Sequence, residues 1–338
     1  MITDTYPYNK TSVRLGHAKQ TEAQLDSLLT SYFGIEAVTV SSARAGIYII
    51  LKELGLGRTD HILIPDYLCR SVLYILNLQG FAVQQPDDRT KAAFVFHQWG
   101  YPQKMDIVMA EAKKRGLKII EDCAHTFGST YKGRMVGSFG DVAVVSFPKF
   151  FPTYVGGAVL SANPQMIARA RVVREESRSF PQRIFDVLSV RAGWQNYLLR
   201  KPPFILHAIY IKSFHFPRTA PTVLRRFPHS AQELKAGIEK RVRIFKQIKE
   251  KAGETYHPRH LDEDSEVVPL SVPIFFPPEK LEKAQAMLKE RNIKADILHF
   301  DVNRNIFDPK YVKCLALPCH QELTDKEVAY MLEVIKTA

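Results

Sequence analysis

The chain has 338 residues, 46% of them hydrophobic and 24% charged, with a formal net charge of +12. That length suggests one large domain with a smaller companion, able to bury a sizeable core without disulfide or metal staples. The composition excludes collagen-like, disordered and coiled-coil chains, and no internal repeat is visible.

The N-terminal MITDTYPYNK lacks a basic stretch followed by an apolar one, so no secretory signal is expected. No uncharged apolar run is long enough to span a bilayer, and a soluble, cytoplasmic protein is expected. The four cysteines, Cys69, Cys123, Cys314 and Cys319, are sparse and irregularly spaced, which fits reduced thiols better than a disulfide framework. Zinc needs paired ligands at short spacing, and Cys314-x4-Cys319 has no matching second pair. His257-x-x-His260 lies in a Pro- and Asp-rich stretch and reads as a solvated loop, so no metal site is expected.

In chain order, VTVSS (38–42), HILIP (61–65), AAFVFHQW (92–99), LKIIEDC (117–123) and DVAVVSF (141–147) read as buried strands. Between them GIYIILKELG (46–55), SVLYILNLQG (71–80) and MDIVMAEAKKRG (105–116) read as helices, each closed by a glycine: Gly55, Gly80 or Gly116. Alternation of this kind predicts a mostly parallel α/β sheet covered on both faces, with ligands gathering at the carboxyl ends of the strands.

Residues 169–251 then hold 19 Lys/Arg against 6 Asp/Glu, so this basic, aromatic, helical block carries more than the whole net charge. RKPPF (200–204) and HFPRTAP (215–221) look like breaks within it. Such a block could face nucleic acid, anionic lipid or a polyanionic substrate, and a solvated basic face gives the same composition. No recognition-helix or zinc-finger motif accompanies the charge, which argues against nucleic acid. The apolar stripe Ile184, Val187, Leu188, Trp194, Leu198 fits core or interface packing better than a membrane-surface helix. From about residue 255 a smaller α/β unit follows. EVVPLSVPIFF (266–276) reads as an edge strand because of its prolines, EKLEKAQAMLKERN (279–292) as a helix and IKADILHF (293–300) as a strand. Thr324-Asp-Lys-Glu327 is a capping box opening a last helix. The expected division is a large domain over 1–250 and a small one over 251–338.

Seven of the 17 glycines fall between 116 and 157, and the chemistry-bearing residues lie among them. Asp122 ends one central strand, where a buried carboxylate needs a cation, a metal or a ligand N–H. Ser146 ends the next strand. Lys149 follows in an apolar loop, where desolvation lowers an ammonium pKa as an imine-forming lysine requires. That order suits pyridoxal 5′-phosphate (PLP), with Asp122 on the pyridine nitrogen, Ser146 on the phosphate and Lys149 bonded to the aldehyde carbon. Upstream, Ser42-Ala43-Arg44-Ala45-Gly46 opens a helix, where small residues let backbone N–H groups approach an anion. The spacing matches no nucleotide phosphate loop.

HQWGYPQKMDIVMAEAKKRGLKIIEDCAHTFGSTYKGRMVGSFGDVAVVSF (97–147) closely resembles the DegT/StrS family of PLP-dependent sugar aminotransferases. SSARAGIYIILKELGLGRTDHILIPDYL (41–68) and LALPCHQELTDKEVAYMLEVI (315–335) resemble its first phosphate-binding turn and its C-terminal segment. The resemblance implies a fold-type-I aminotransferase with a large mostly parallel α/β domain and a smaller C-terminal one, a homodimer, and amino transfer from an amino acid, usually glutamate, to a keto-sugar, nucleotide-linked in the family's usual case. It implies roles for Asp122 at the pyridine nitrogen, His125 against the ring, Ser146 and the Ala43–Arg44–Ala45 turn at the phosphate, and Tyr67 packing over the ring. Two departures stand out. The family places its lysine five residues after the serine, where this chain has Phe151; Lys149 fits the shorter Ser-x-x-Lys version of one branch. The family's Asn-Tyr-Arg segment is not recognisable, with Asn196-Tyr197 a possible remnant. A PLP sugar dehydratase, in which histidine replaces the lysine, and a non-catalytic regulatory member are the alternative readings.

Overall fold

The computed structural model describes residues 20–153, 155–176 and 213–338. The apolar stripe at 184–198, Asn196-Tyr197 and RKPPF lie outside the described residues. The central sheet is formed by β1 (Ala37–Val40), β2 (His61–Leu63), β3 (Phe81–Val83), β4 (Thr90–Phe96) and β5 (Lys118–Cys123), then, past a small hairpin of β6 (Thr130–Tyr131) and β7 (Arg134–Met135), by β8 (Val142–Ser146) and β9 (Gly157–Leu160). Its order is β1-β9-β8-β5-β4-β2-β3, parallel throughout except that β9 runs against both β1 and β8. The mostly parallel sheet is therefore as the apolar runs predict.

Strand residues alternate between two cores. Val142 and Val144 join Val38, Val40 and Val159 under helix α2 (Ala43–Glu53), while Ala143 and Val145 join Ala37, Ala158 and Leu160 beneath helix α1 (Glu22–Phe33). Helix α3 (Arg70–Gln79) packs beside α2, and helix α4 (Met105–Arg115) seals the far face through Met105, Val108 and Ala112 against Val95 and Ile119. Burial on both faces explains why these strands read as unbroken apolar runs. Gly116 is left-handed as a helix-terminating glycine should be, whereas Gly80 is extended. The reason for glycine at 80 is space: a Cβ there would sit 2.9 Å from Ile62 Cδ1 and 3.1 Å from the Asp60 carbonyl.

Helix α5 (Pro164–Glu176) carries Arg174 in its last turn, buried and bonded through Nη1 to Asp26 Oδ2 at 2.8 Å. The other Asp26 oxygen accepts from Thr39 N (2.7 Å) and Thr39 Oγ1 (2.8 Å). This tie joins α1, β1 and α5. After the short α6 (Pro221–Arg226) comes α7 (Ala231–Tyr256), which crosses residue 250 and serves both halves of the molecule. Its Leu234, Ile238 and Val242 pack on the large-domain aromatic cluster, and Ile244, Phe245, Ile248 and Ala252 enter the core of the second unit. The predicted 266–276 strand divides into β10 (Ser265–Glu266), which pairs with β6, and β11 (Ser271–Ile274), which is an edge strand as its prolines predict. Helix α8 (Pro278–Glu290), β12 (Asp296–Asp301), β13 (Tyr311–Pro318) and helix α9 (Asp325–Thr337) complete the unit, with the Thr324–Glu327 capping box formed. Strand β13, at the centre of that sheet, has no counterpart among the predicted elements. His257 corrects the reading of a solvated loop: it is buried and its Nε2 lies 2.8 Å from the Tyr101 hydroxyl, while His260 is exposed.

Removing one partner of a buried ion pair strands the other's charge, which costs about 3–5 kcal/mol. Asp26→Ala is expected to lower unfolding free energy by about that amount in a denaturant titration. An effect below about 1 kcal/mol would mean that the tie carries little.

Candidate active site

The carboxyl ends of β4, β5 and β8, the start of α2 and the 66–72 segment surround one cavity of about 680 Å³. Strand β12 closes it from the second unit with Ile297, Leu298 and His299. That volume suits a cofactor with part of a substrate. Ala43, Arg44, Tyr67, Asp122, His125, Ser146 and Lys149 all line it. Ala45 does not; its backbone N–H is spent on the Ser42 hydroxyl that caps α2, at 3.2 Å.

Asp122 is 3% exposed at the end of β5, and its hydrogen bond among the described residues is from Ala124 N at 2.9 Å. Burial raises its pKa, and the charge of Lys149 opposes that rise. Lys149 is held in a 3-10 turn (Phe147–Lys149) directly after β8. Burial lowers its pKa, with Asp122 and the nearby Cys69 pulling the other way. Each group therefore lies within range of the other's charge. His125 is kept neutral well below the usual histidine range, first by burial and then by Lys149. Its Nδ1 accepts weakly from Trp99 N at 3.4 Å, which leaves Nε2 to carry the proton. Phe96 meets the imidazole edge-on at 4.7 Å.

At one end of the cavity, Ser146, Ser42, Ala43, Arg44 and Gly156 come together because Gly156 and Gly157 lead into β9. A Cβ on Gly157 would lie 2.7 Å from Ala43 N and 2.5 Å from the Val145 carbonyl, so only glycine lets the α2 turn close on β8. Tyr67 lines the cavity, but its ring stacks on His299 (4.9 Å, 10°) and meets Tyr311 edge-on (4.8 Å), towards the second unit. Phe151, at the family's usual lysine position, points away into the core against Phe127 (5.1 Å) and Phe227 (4.7 Å). Gln98, Trp99 and Cys69 also line the cavity. The first two follow β4 directly, so the rule that chemistry sits at strand ends would have found them.

His97, Glu121 and Cys123 have ligand atoms within 4.8 Å of one another, as a metal site would. Glu121, however, accepts from the backbone N–H groups of Gly137 (2.9 Å), Phe139 (2.7 Å) and Gly140 (2.7 Å), and pairs with His97 Nε2 at 3.1 Å. His97 Nδ1 accepts from Gln103 N at 3.1 Å. Both imidazole nitrogens and both carboxylate oxygens are thus committed. The trio is a structural brace.

The sequence profile of the DegT/DnrJ/EryC1/StrS aminotransferase family matches residues 82–190, the stretch that supplies Asp122, His125, Ser146 and Lys149. Over that stretch this chain is similar to the family. GDP-perosamine synthase of Escherichia coli O157:H7 is 30% identical over 153 residues, which are 39% of this chain and 42% of that protein; the match spans less than half of the relative. Among solved structures, the aminotransferase TlmJ from Streptoalloteichus hindustanus superposes with a TM-score of 0.70 at 15% identity, over 94% of this chain and 90% of that one. The putative sugar aminotransferase Spr1654 from Streptococcus pneumoniae, in its PMP form, gives 0.69 at 19% identity over 95% and 91%. These likenesses establish the PLP-aminotransferase fold. No helix among the described residues is long and apolar enough to cross a membrane.

Glu121→Gln would turn an amide N–H₂ towards the N–H of Gly137 and the His97 ring, leaving buried donors unpaired. The expected loss is about 2–4 kcal/mol of stability in a urea titration, with a melting temperature indifferent to EDTA in the unaltered protein. A clear EDTA effect would restore the metal reading.

Proposed function

We propose that this chain is a PLP-dependent aminotransferase that moves an amino group from an amino acid, glutamate, to a keto-sugar carried on a nucleotide. The proposal extends to a cytoplasmic homodimer serving surface-polysaccharide or amino-sugar biosynthesis. The observation that carries the reading is the placement of Lys149 and Asp122 on one desolvated cavity, each within range of the other's charge. Spr1654, which shares the fold, has both PLP and PMP forms, and GDP-perosamine synthase is by name the maker of a nucleotide-linked sugar. The net charge of +12 suits a diphosphate-bearing substrate.

The residues present fit the cofactor. A buried carboxylate with one donor needs a second, which a pyridine N–H supplies. The glycine-enabled closure of Ala43 on β8 brings backbone and hydroxyl groups together beside Ser146, where they would hold the phosphate. When bound, PLP supplies an electron sink that carries the amino group between donor and acceptor. Lys149, its pKa lowered by burial, would offer its amine as nucleophile, and its Nζ would move the proton at the substrate's reacting carbon. Asp122 would hold a proton on the ring nitrogen, and the neutral His125 would lie against the ring. Leu298, His299 and Tyr67 form the outer wall of the cavity, against which the sugar would lie.

Incubation with PLP followed by borohydride is expected to leave a reduced cofactor adduct on the Lys149 peptide, absent from Lys149→Ala, as read by mass spectrometry. Glutamate added before reduction is expected to bleach the visible band. An adduct on another lysine would refute the assignment of Lys149. An adduct that no amino donor alters would favour dehydration, and no uptake of PLP would favour a non-catalytic role.

A further inference from the structure

The lysine turn ends abruptly. After Phe147–Lys149 the chain turns into the core through Phe150 and Phe151, so no helix follows to supply N–H donors to the carbonyls of Lys149 and Phe150. Both are taken by side chains from distant elements. Arg241 Nη2 of α7 donates to the Lys149 carbonyl at 3.3 Å, and Gln321 Nε2, ahead of α9, donates to the Phe150 carbonyl at 2.7 Å. The two are joined, since Arg241 Nη2 also donates to Gln321 Oε1 at 3.1 Å. The other arm of the guanidinium anchors on the Pro269 carbonyl at 2.9 Å, and its face lies 4.4 Å from the centre of the Phe150 ring.

Arg241 is wholly buried and forms no ion pair with a carboxylate among the described residues. Burial pulls its pKa down to about 10, so it stays charged at neutral pH. A buried cation bonded only to neutral oxygens is costly, and an apolar side chain could fill the same space. Its rigid fork does what no apolar residue can, holding three acceptors from three segments in one plane.

We propose that Arg241 and Gln321 form a positioning clamp that fixes the backbone at Lys149 and Phe150, setting where Lys149 Nζ sits in the cavity and linking it to the second unit. This rests on the reading of Lys149 as the cofactor-bonding residue. It also accounts for a lysine two residues early: a turn this short keeps its lysine on the cavity because the clamp replaces the missing backbone bonds. The two side chains are positioning residues, since neither lines the cavity.

The test uses Gln321→Leu, Gln321→Glu and Arg241→Lys, with Gln321 only partly buried and so the safer site. Competitive amine labelling of the cofactor-free protein across pH, read peptide by peptide, reports the titration of Lys149 without any catalysis. The expected result is a Lys149 profile moved up by about one pH unit in Gln321→Leu and Arg241→Lys as the turn relaxes into solvent, with the exposed Lys52 unchanged. PLP capture by Lys149 is expected to slow roughly tenfold. Gln321→Glu keeps the Arg241 contact, loses the donor to Phe150, and is expected to fall between wild type and Gln321→Leu. Folded variants with the wild-type Lys149 profile and capture rate would overturn the clamp, even if less stable. Wild-type protein that never captures PLP would instead defeat the functional reading, and the labelling profile would still decide the clamp.

Discussion

A carboxylate cannot be left in a protein interior without donors, and two such groups stand side by side on the central strand of this fold. Because successive strand residues face opposite ways, Glu121 and Asp122 project to different sides of β5. Glu121 finds three backbone N–H groups and a histidine, and in taking them it folds the 137–140 turn against the strand. Asp122 finds one N–H and the charge of Lys149. The first group is satisfied within the protein and serves as architecture. The second has one hydrogen-bond donor among the described residues and faces the cavity.

The same asymmetry explains what local sequence could and could not disclose. Strands buried on both faces are unbroken apolar runs, so β1, β2, β4, β5 and β8 are legible, and with them the strand-end positions of Asp122 and Ser146. Lys149 is legible from its apolar company, because the physics that buries it also lowers its pKa. Partners far apart in the chain leave no local trace. Arg174 meets Asp26 across 148 residues, and Gln321 meets Phe150 across 171. In sequence, Arg174 and Arg241 are two more charges in a basic block. Tyr67 illustrates a subtler limit. Its place on the cavity follows from the strand that precedes it, but its stacking on His299 depends on a second unit whose approach no periodicity encodes.

That second unit does more than cap the sheet. Strand β12 brings Ile297, Leu298 and His299 to the cavity, Tyr67 leans on His299 and Tyr311, and Gln321 reaches back to the lysine turn. Helix α7 runs through both cores and carries Arg241 at the crossing. The lysine turn and the cavity wall formed by β12 are therefore tied to one body.

Burial also limits what the basic block can do. Its excess of 13 positive charges suggests a surface for polyanions when counted from sequence, but charge that is buried cannot attract a ligand through solvent. Arg174 is consumed by Asp26, and Arg241 by carbonyls and the face of Phe150. Lys249 is drawn onto Asp262 at 2.6 Å. Outside the block, Arg304 is likewise buried on Asp264. Arginines in such places act as multidentate struts, chosen for the geometry of their five donors, and their charge is a cost of that geometry. Among the described residues, these buried cations add less to the outward field than the composition implies. Arg44 differs from these struts in lining the cavity itself, at the start of α2, where the helix end adds to its attraction for an anion. Among the described residues, the cavity's own pull on an anion comes from Arg44 and this helix terminus, not from the buried struts.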